Sequence, residues 1–204
     1  MQDPPTFLHS LETGPLSRVR VLVTKPPGTP SEVAVLIHGQ PEASTHPLVR
    51  IQSRCTYAEV FESVDCDCGG QLSLTWGLFR EAGHGILLYL EQEGRGCGLL
   101  VKAAAYELMD TEQLDTVAAY ARLGVQTDQR RYDGAAKVLD ELGVGSIRLL
   151  TNNPLKVAGL TEFGVEVVEV VPLRVQPTPS NIGYLRVKQE KLGHDLGLPA
   201  SVEP

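Results

Sequence analysis

Residues 85–90, Gly-Ile-Leu-Leu-Tyr-Leu, form a short apolar run that predicts a buried strand and constrains the fold more than any other segment. Further strands are predicted at residues 18–24, 32–38, 48–53, 146–150 and 165–171. Helical spacing of apolar residues predicts helices at residues 71–81, 99–109, 132–142 and 181–192. Another helix should begin at Pro154, with Asn153 as its N-cap. Strands come first and strand–helix alternation follows, which predicts a mixed α/β (α+β) domain, a mixed sheet flanked by helices.

The chain has 204 residues, 42% hydrophobic and 21% charged, which suits one globular domain. We expect a flexible N-terminal segment at 1–17, a folded domain at 18–196 and a flexible tail at 197–204. No apolar run approaches the roughly 20 residues that span a bilayer, and the N-terminus has no signal-peptide pattern. A cytoplasmic protein without membrane contact is therefore expected. The net charge of −7 argues against a nucleic-acid partner.

Three of the four cysteines lie close together, as Cys55 followed by Cys66-Asp67-Cys68. In a reducing compartment such cysteines are more often metal ligands than disulfides. Zinc prefers thiolate and imidazole ligands, and three protein ligands leave a position for water, as in catalytic sites. The spacing therefore predicts a catalytic zinc site. Buried free thiols remain an alternative, as does a closed structural site with Cys97 as fourth ligand. The histidines match no ligand pattern and are expected to be surface or structural: His38, His46, His84 and His194.

Four sequence blocks then follow in order: Cys55 with CDCGGQL at 66–72, EQEGRGCGLL at 91–100, LGVQTDQRRY at 123–132 and LLTNNPLKV at 149–157. Together they resemble the GTP cyclohydrolase II family. The resemblance implies an α/β fold, a homodimer, one Zn²⁺ per chain and Mg²⁺ on the polyphosphate. It implies hydrolysis of a guanine nucleotide, GTP above all, at C8 of the imidazole ring. The products would be formate, pyrophosphate and a 2,5-diamino-6-ribosylaminopyrimidinone phosphate, in riboflavin synthesis.

The resemblance also assigns site residues. It implies zinc on Cys55, Cys66 and Cys68. It makes Asp128 a proton acceptor and Arg130 a nucleophile toward the α-phosphorus, and it places Tyr106 near the reacting base. It implies nucleotide contacts at Arg50, Ile51, Gln52, Ser53, Arg54, Gln71, Glu93, Gly94, Arg95, Thr116, Thr151 and Lys156.

Side-chain chemistry refines these roles. A guanidinium has no free lone pair, so Arg130 is better suited to stabilise charge at the α-phosphorus while water attacks. Glu93 can accept from the N1–H and N2 amino group of guanine, and Arg95 can hold phosphate oxygens in a fork. Plainer roles remain open: a solvated salt bridge within that pair, an N-cap for Asp128, and an aromatic packed in the core for Tyr106.

The segment around the first cysteine departs from the family pattern. Family members typically read His-Ser-Glu-Cys-Leu-Thr-Gly-Asp, whereas this chain has Gln-Ser-Arg-Cys-Thr-Tyr-Ala-Glu at 52–59. The change alters the expected magnesium site, and Arg54 offers protein charge in place of metal charge. One alternative is therefore a diverged paralogue that acts on another guanine nucleotide or stops at a partial product. Another is a non-catalytic guanine-nucleotide-binding protein with a structural zinc. A zinc nucleobase deaminase is excluded because its H-x-E and P-C-x-x-C motifs are absent.

Overall fold

In the computed structural model, which describes residues 6–199, one mixed sheet has the strand order β1-β2-β3-β5-β4-β6-β7. Strands β1, β2, β3 and β5 pair antiparallel, whereas β5, β4, β6 and β7 pair parallel. The predicted mixed α/β class is confirmed. The strands are β1 (Phe7–Thr13), β2 (Ser17–Thr24), β3 (Val33–His38), β4 (Leu48–Ser53), β5 (Gly85–Leu90), β6 (Ser146–Leu150) and β7 (Glu166–Val171).

Helices lie along the chain between and after these strands. They are α1 (Thr56–Glu59), α2 (Cys68–Ala82), α3 (Leu99–Glu112), α4 (Thr116–Arg122), α5 (Asp133–Glu141), α6 (Pro154–Thr161) and α7 (Ile182–Leu192). Short 3-10 turns occupy Pro41–Ala43 and Glu93–Gly96. Across residues 6–199, none of the helices has the length and apolar character needed to cross a bilayer.

Helices cover both faces of the sheet. On one face, α5 and α6 pack on the central strands around Ile51, Leu88 and Leu139. On the other face, α2 packs through Phe79 against Leu87. Successive residues of β5 alternate between these two cores, which explains why the strand is apolar throughout. Burial of Phe79 alone contributes roughly 2–3 kcal/mol.

The predicted central elements are confirmed. Strands β4, β5 and β6 have the predicted bounds, and β2, β3 and β7 each begin one residue away from the predicted position. Helix α6 begins at Pro154, and the Asn153 side chain caps it by accepting from the Leu155 N–H at 3.0 Å. Helix α2 begins three residues earlier than predicted, at Cys68.

The expectation of a flexible segment before residue 18 is wrong for residues 7–13, which form β1 and pair with β2. The sequence signal was weak because this edge strand buries no face and so lacks an alternating pattern. At the other end, Leu198 exchanges two hydrogen bonds of 3.0 Å with the Gln189 side chain. Residues 1–5 and 200–204, which belong to the two predicted flexible segments, lie outside the described residues.

Helix α4 was not predicted. It spans only seven residues, too few for a helical period to stand out. The Asp115 carboxylate caps it by accepting from the N–H groups of Val117 and Ala118 at 2.8 and 3.0 Å. Thr116, the first residue of the helix, is buried.

Candidate functional site

A pocket lies at the carboxyl ends of the parallel strands. Gln52 and Ser53 come from the end of β4, Gln92 from just after β5, and Thr151 from just after β6. Crevices at the carboxyl ends of strands are the usual ligand sites of open α/β sheets. The sheet topology therefore brings together segments that are far apart in the sequence.

Three thiols meet in this pocket, and we call them the thiol cluster (Cys55, Cys66, Cys68). Their Sγ atoms all lie within 4.8 Å of one another, and those of Cys55 and Cys66 are 3.8 Å apart. Cys55 directly precedes α1 and Cys68 begins α2, so two helix starts bring the thiols together. None of them forms a disulfide. This compact, soft donor set fits a metal that prefers thiolates, as zinc does.

A buried ion pair lies against the thiol cluster. Lys102 Nζ is 2.8 Å from Glu93 Oε1 and 3.2 Å from Cys55 Sγ. Hydrogen bonds from Cys66 and Cys68, together with the charge of Lys102, lower the pKa of Cys55 in spite of its burial. A lowered pKa favours the thiolate, which is the form that binds metal.

Three cations line the same pocket, and we call them the cationic cluster (Arg50, Arg130, Lys156). Arg50 Nη1 donates to the Leu150 carbonyl at 3.0 Å, and Lys156 Nζ donates to the Ile51 carbonyl at 2.6 Å. Burial lowers the pKa of Arg50 to about 10. Burial and the charges of Arg50 and Arg130 lower the pKa of Lys156 well below its usual value. Buried cations that disfavour one another's ionisation are suited to an anionic ligand.

Asp128 holds Arg130 in place. Asp128 Oδ1 accepts from the Arg130 backbone N–H at 3.1 Å and from Nε at 2.9 Å, and Oδ2 accepts from Nη2. Burial favours the neutral carboxyl, but the hydrogen bonds from Arg130 outweigh it and lower the pKa of Asp128. Burial likewise opposes the charge of Arg130, but Asp128 outweighs it and raises the pKa of the guanidinium. Arg130 is thus a fixed cation, and Asp128 is a weak proton acceptor at neutral pH.

Arg95 lines the pocket, and the backbone at this residue is strained. Gly94 and Arg95 both adopt left-handed conformations, with φ of 58° and 56°. For a non-glycine residue this costs about 1–2 kcal/mol. The Arg95 guanidinium lies 5.6 Å from the ring centre of Tyr120 and 6.0 Å from that of Tyr184. Such strain is characteristic of functional loops, where the surrounding structure maintains it.

Four buried side-chain atoms of pocket residues have no hydrogen-bond partner within the described residues: Ser53 Oγ, Gln92 Oε1, Arg95 Nη1 and Asn153 Nδ2. Buried polar atoms are nearly always paired, so a group of unpaired ones around a pocket indicates a ligand or ordered water. The group includes donors and acceptors, which suits a ligand with both.

Tyr106 projects from α3 into the pocket lining. Its ring packs edge to face on Tyr57, with ring centres 5.1 Å apart. Burial, followed by the nearby Tyr184 and the thiols, raises the pKa of Tyr106. The residue is therefore a neutral phenol, which can donate a hydrogen bond.

The GTP cyclohydrolase II family model matches residues 13–172, a range that contains both clusters. The chain belongs to the GTP cyclohydrolase II family. It is similar to the GTP cyclohydrolase-2 of Acinetobacter baylyi, with 45% identity over 175 residues, covering 85% of this chain and 87% of that protein. It is also similar to the riboflavin biosynthesis protein RibBA of Chlorobium phaeovibrioides, with 47% identity over 147 residues, 72% of this chain and 36% of that protein. The chain thus spans less than half the length of that RibBA.

Among solved structures, the chain is similar to RibBX, a two-domain 3,4-dihydroxy-2-butanone 4-phosphate synthase from A. baumannii. The TM-score is 0.46 at 19% identity, over 84% of this chain and 40% of that chain.

Most residues expected to form a GTP cyclohydrolase II site line the pocket. Ile51 does not: its side chain is fully buried in the main core, because alternate residues of β4 face opposite sides of the sheet. Asp128 lies behind Arg130, beside a separate hollow. The residues that do line the pocket are Arg50, Gln52, Ser53, Arg54, Cys55, Cys66, Cys68, Gln71, Glu93, Gly94, Arg95, Tyr106, Thr116, Arg130, Thr151 and Lys156.

Three of the plainer alternatives are wrong. Cys97 packs with α3 and α4 and its Sγ donates to the Gln126 carbonyl at 3.5 Å, so within residues 6–199 it lies outside the thiol cluster. Glu93 is not part of a solvated salt bridge, since it pairs with the buried Lys102 and also accepts from the Thr56 N–H at 2.7 Å. Asp128 caps no helix, because Tyr132 is the N-cap of α5.

The sequence interpretation missed Lys102, Tyr184, Lys188 and His194, all of which line the pocket. Tyr184 and Lys188 are four residues apart on α7 and so share one helix face, which was a usable signal. His194 was expected to be surface or structural. Burial, together with Lys188 and Arg130, lowers its pKa to about 4, so a neutral imidazole borders the pocket.

Two of the residues that depart from the GTP cyclohydrolase II pattern, Gln52 and Glu59, contact each other. Glu59 accepts from Gln52 Nε2 at 2.7 Å and from the Tyr89 hydroxyl at 2.6 Å. Arg54 pairs with Glu91 at 2.8 Å on the exposed rim. Of the described residues that line the pocket, Glu93 is the one with a carboxylate. The pocket lining within residues 6–199 therefore offers Mg²⁺, which prefers oxygen ligands, one carboxylate that is already paired with Lys102.

Proposed function

We propose that this protein hydrolyses the imidazole ring of a guanine nucleotide, with GTP as substrate and zinc on the thiol cluster. The observation that best supports this is the presence of the thiol cluster and the cationic cluster in one pocket. A soft metal site next to buried cations suits a substrate with a reactive heterocycle and a polyphosphate. Family membership supports the same activity.

Zinc held by three thiolates supplies a Lewis acid and lowers the pKa of water that it binds. Cys55, Cys66 and Cys68 would be its ligands. Lys102 donates to Cys55, which stabilises the thiolate and offsets part of the cluster's negative charge. Glu93 keeps that lysine in place and charged.

The base is the part of the substrate that must face the thiol cluster. One water adds at C8 and the C8–N9 bond breaks, leaving a formamide; a second water cleaves the formamide and releases formate. Tyr106 would donate a hydrogen bond here, and its position in the same pocket lining as the thiols supports this role. Arg95 and the unpaired Ser53 and Gln92 atoms would bind polar groups of the nucleotide.

The polyphosphate would bind the cationic cluster. A third water attacks the α-phosphorus and displaces pyrophosphate, while Arg130 stabilises the developing negative charge. Asp128 orients Arg130 through its bidentate pairing. Arg130 does not act as nucleophile in this proposal, because its guanidinium is protonated and paired.

The site's carboxylate content favours a second candidate that stops before pyrophosphate release. The residues present do not fit a Mg²⁺ ion held by the protein, so we derive no step through magnesium. If release of pyrophosphate depends on that ion, a diverged enzyme would open the ring and keep the polyphosphate.

One experiment tests both candidates. Zinc-loaded protein is incubated with GTP, with and without Mg²⁺, and every product is identified by mass spectrometry. The proposal expects formate, pyrophosphate and a diaminopyrimidine phosphate in equal amounts. A ring-opened triphosphate would favour the second candidate, and bound but unchanged GTP would show a non-catalytic binder. GDP, GMP and dGTP, tested in parallel, define the substrate. The homodimer and the cytoplasmic location stay predictions, and sedimentation velocity tests the first.

A further inference from the structure

Helix α7 contributes to the pocket although it lies beyond the residues that match the family model. It carries Lys188, whose Nζ lies 2.6 Å from Asp67 Oδ1. The two side chains are only 10% and 2% exposed, so this ion pair is buried. Asp67 is the residue between Cys66 and Cys68. A residue near the end of the chain therefore pairs directly with the segment that carries two thiols of the cluster.

The other Asp67 oxygen is also bonded. Asp67 Oδ2 accepts from Gln71 Nε2 at 2.6 Å, and Gln71 Oε1 accepts from Arg50 Nη2 at 2.8 Å. Both carboxylate oxygens are thus fixed, one by α7 and one by a chain of side chains that leads to β4. The Asp67 side chain makes no N-cap hydrogen bond to a backbone N–H of α2, but its backbone carbonyl accepts from the Gln71 N–H at 2.9 Å.

We propose that Lys188 is a positioning residue that holds the turn of Cys66 and Cys68 in ligand geometry through Asp67. The inference rests on the proposed zinc site. Without the ammonium group, a buried carboxylate loses its partner, and an unpaired buried ion is strongly unfavourable. The carboxylate must then move toward water or another cation, and the flanking thiols move with it.

The test measures zinc release from the zinc-loaded, full-length protein to a chromophoric chelator. Lys188→Met keeps the length of the side chain and removes the charge, and we expect release to be at least about tenfold faster, the range seen for partners of metal ligands. Lys188→Arg should restore release to near the wild-type rate. The Co²⁺-substituted proteins give a second readout, because a changed thiolate geometry shifts the visible absorption of Lys188→Met but not of Lys188→Arg.

Two controls separate positioning from general stability. Lys191→Met removes an exposed lysine of the same helix, which pairs with Asp115, and should release zinc at the wild-type rate. Val138→Ala lowers the melting temperature from within the core, away from the pocket, and should also leave release unchanged. In Asp67→Asn/Lys188→Met, no buried charge is left unpaired, so release should be slower than in Lys188→Met alone.

Wild-type release by Lys188→Met, or accelerated release by Val138→Ala with the same loss of melting temperature, would overturn the positioning role. GTP turnover by the wild type is measured separately. If zinc binds but GTP is not hydrolysed, the proposed function fails and the role of Lys188 stands. If GTP is hydrolysed and Lys188→Met keeps its zinc, the proposed function stands and the positioning role of Lys188 fails.

Discussion

The thiol cluster and the cationic cluster share one pocket but differ in how their charges are balanced. Next to the thiols, each buried cation has a carboxylate partner, as Lys102 has Glu93 and Lys188 has Asp67. In the cationic cluster only Arg130 is paired, with Asp128. Among the residues that the structure describes, the hydrogen-bond partners of Arg50 and Lys156 are neutral oxygens.

This difference indicates which part of the site is complete before substrate arrives. The surroundings of the thiols are already neutralised, so they can hold a metal without substrate. The cationic cluster carries excess positive charge in a protein whose net charge is −7. Burial lowers the pKa values of Arg50 and Lys156, and the charges of Arg50 and Arg130 lower that of Lys156 further. A bound anion would oppose these effects.

The largest effect is expected from breaking the thiol cluster. Cys66→Ser replaces a thiolate with a hydroxyl, which is a poor zinc ligand. We expect zinc content to fall to near zero and turnover to fall by roughly a thousandfold or more, since metal activation of water is lost. Elemental analysis and formate release measure the two effects. Cys97→Ser, outside the cluster, is the matched control, and metal-free turnover by Cys66→Ser would refute the zinc assignment.

The second effect concerns the cationic cluster. Lys156→Met removes a buried cation while leaving the thiols intact, so zinc content should stay unchanged. A hydrogen bond to a charged group is worth about 1.5–3 kcal/mol, so GTP affinity should fall by roughly 10- to 150-fold. The loss should shrink from GTP to GMP to guanosine, and isothermal titration measures it. Equal losses for all three ligands would place the phosphates elsewhere.

How far the sequence could go also differs between the two clusters. The three thiols were predicted from spacing, because a Cys-x-Cys pair is local and zinc restricts the choice of ligands. The sheet order was not predictable from local patterns, yet it decides that residues 50–55, 91–95 and 151–156 meet. The resemblance to the GTP cyclohydrolase II family predicted that most of these residues belong to one site.

The partners of the site residues escaped prediction. Lys188 meets Asp67 across 121 positions, and no local pattern encodes such a pairing. Ile51 was predicted to contact the nucleotide because the resemblance implied contacts at its neighbours. The alternation of side chains along a strand would instead have predicted that Ile51 faces the core. Segment 7–13 was missed because an exposed edge strand needs no apolar face.

His194 provides a smaller test of the excess positive charge. Burial, Lys188 and Arg130 lower its folded-state pKa to about 4, and Asp67 only partly opposes them. Below pH 6.5, His194 is protonated in the unfolded chain but stays neutral in the folded protein. The free energy of unfolding therefore falls as pH falls from 6.5 toward 4. Between pH 6.5 and 5 this amounts to about 2 kcal/mol. Urea unfolding of zinc-loaded His194→Gln should show a correspondingly smaller loss. Identical pH dependence in the two proteins would mean that His194 is not held neutral.

The smallest effect is expected at the exposed rim. Arg54 pairs with Glu91 in solvent, and its side chain is 43% exposed. Such a charge acts on an approaching polyphosphate mainly through long-range attraction, which salt screens within about 10 Å at 0.1 M ionic strength. Arg54→Ala should therefore raise the KM for GTP only about two- to fivefold at low salt, and the difference should vanish near 0.5 M salt. Arg148→Ala, which breaks an exposed pair with Glu169 on the sheet, is the control and should change neither value. A large increase in KM that persists at high salt would mean that Arg54 contacts the phosphates directly. Arg54 would then belong with the cationic cluster rather than with the exposed rim.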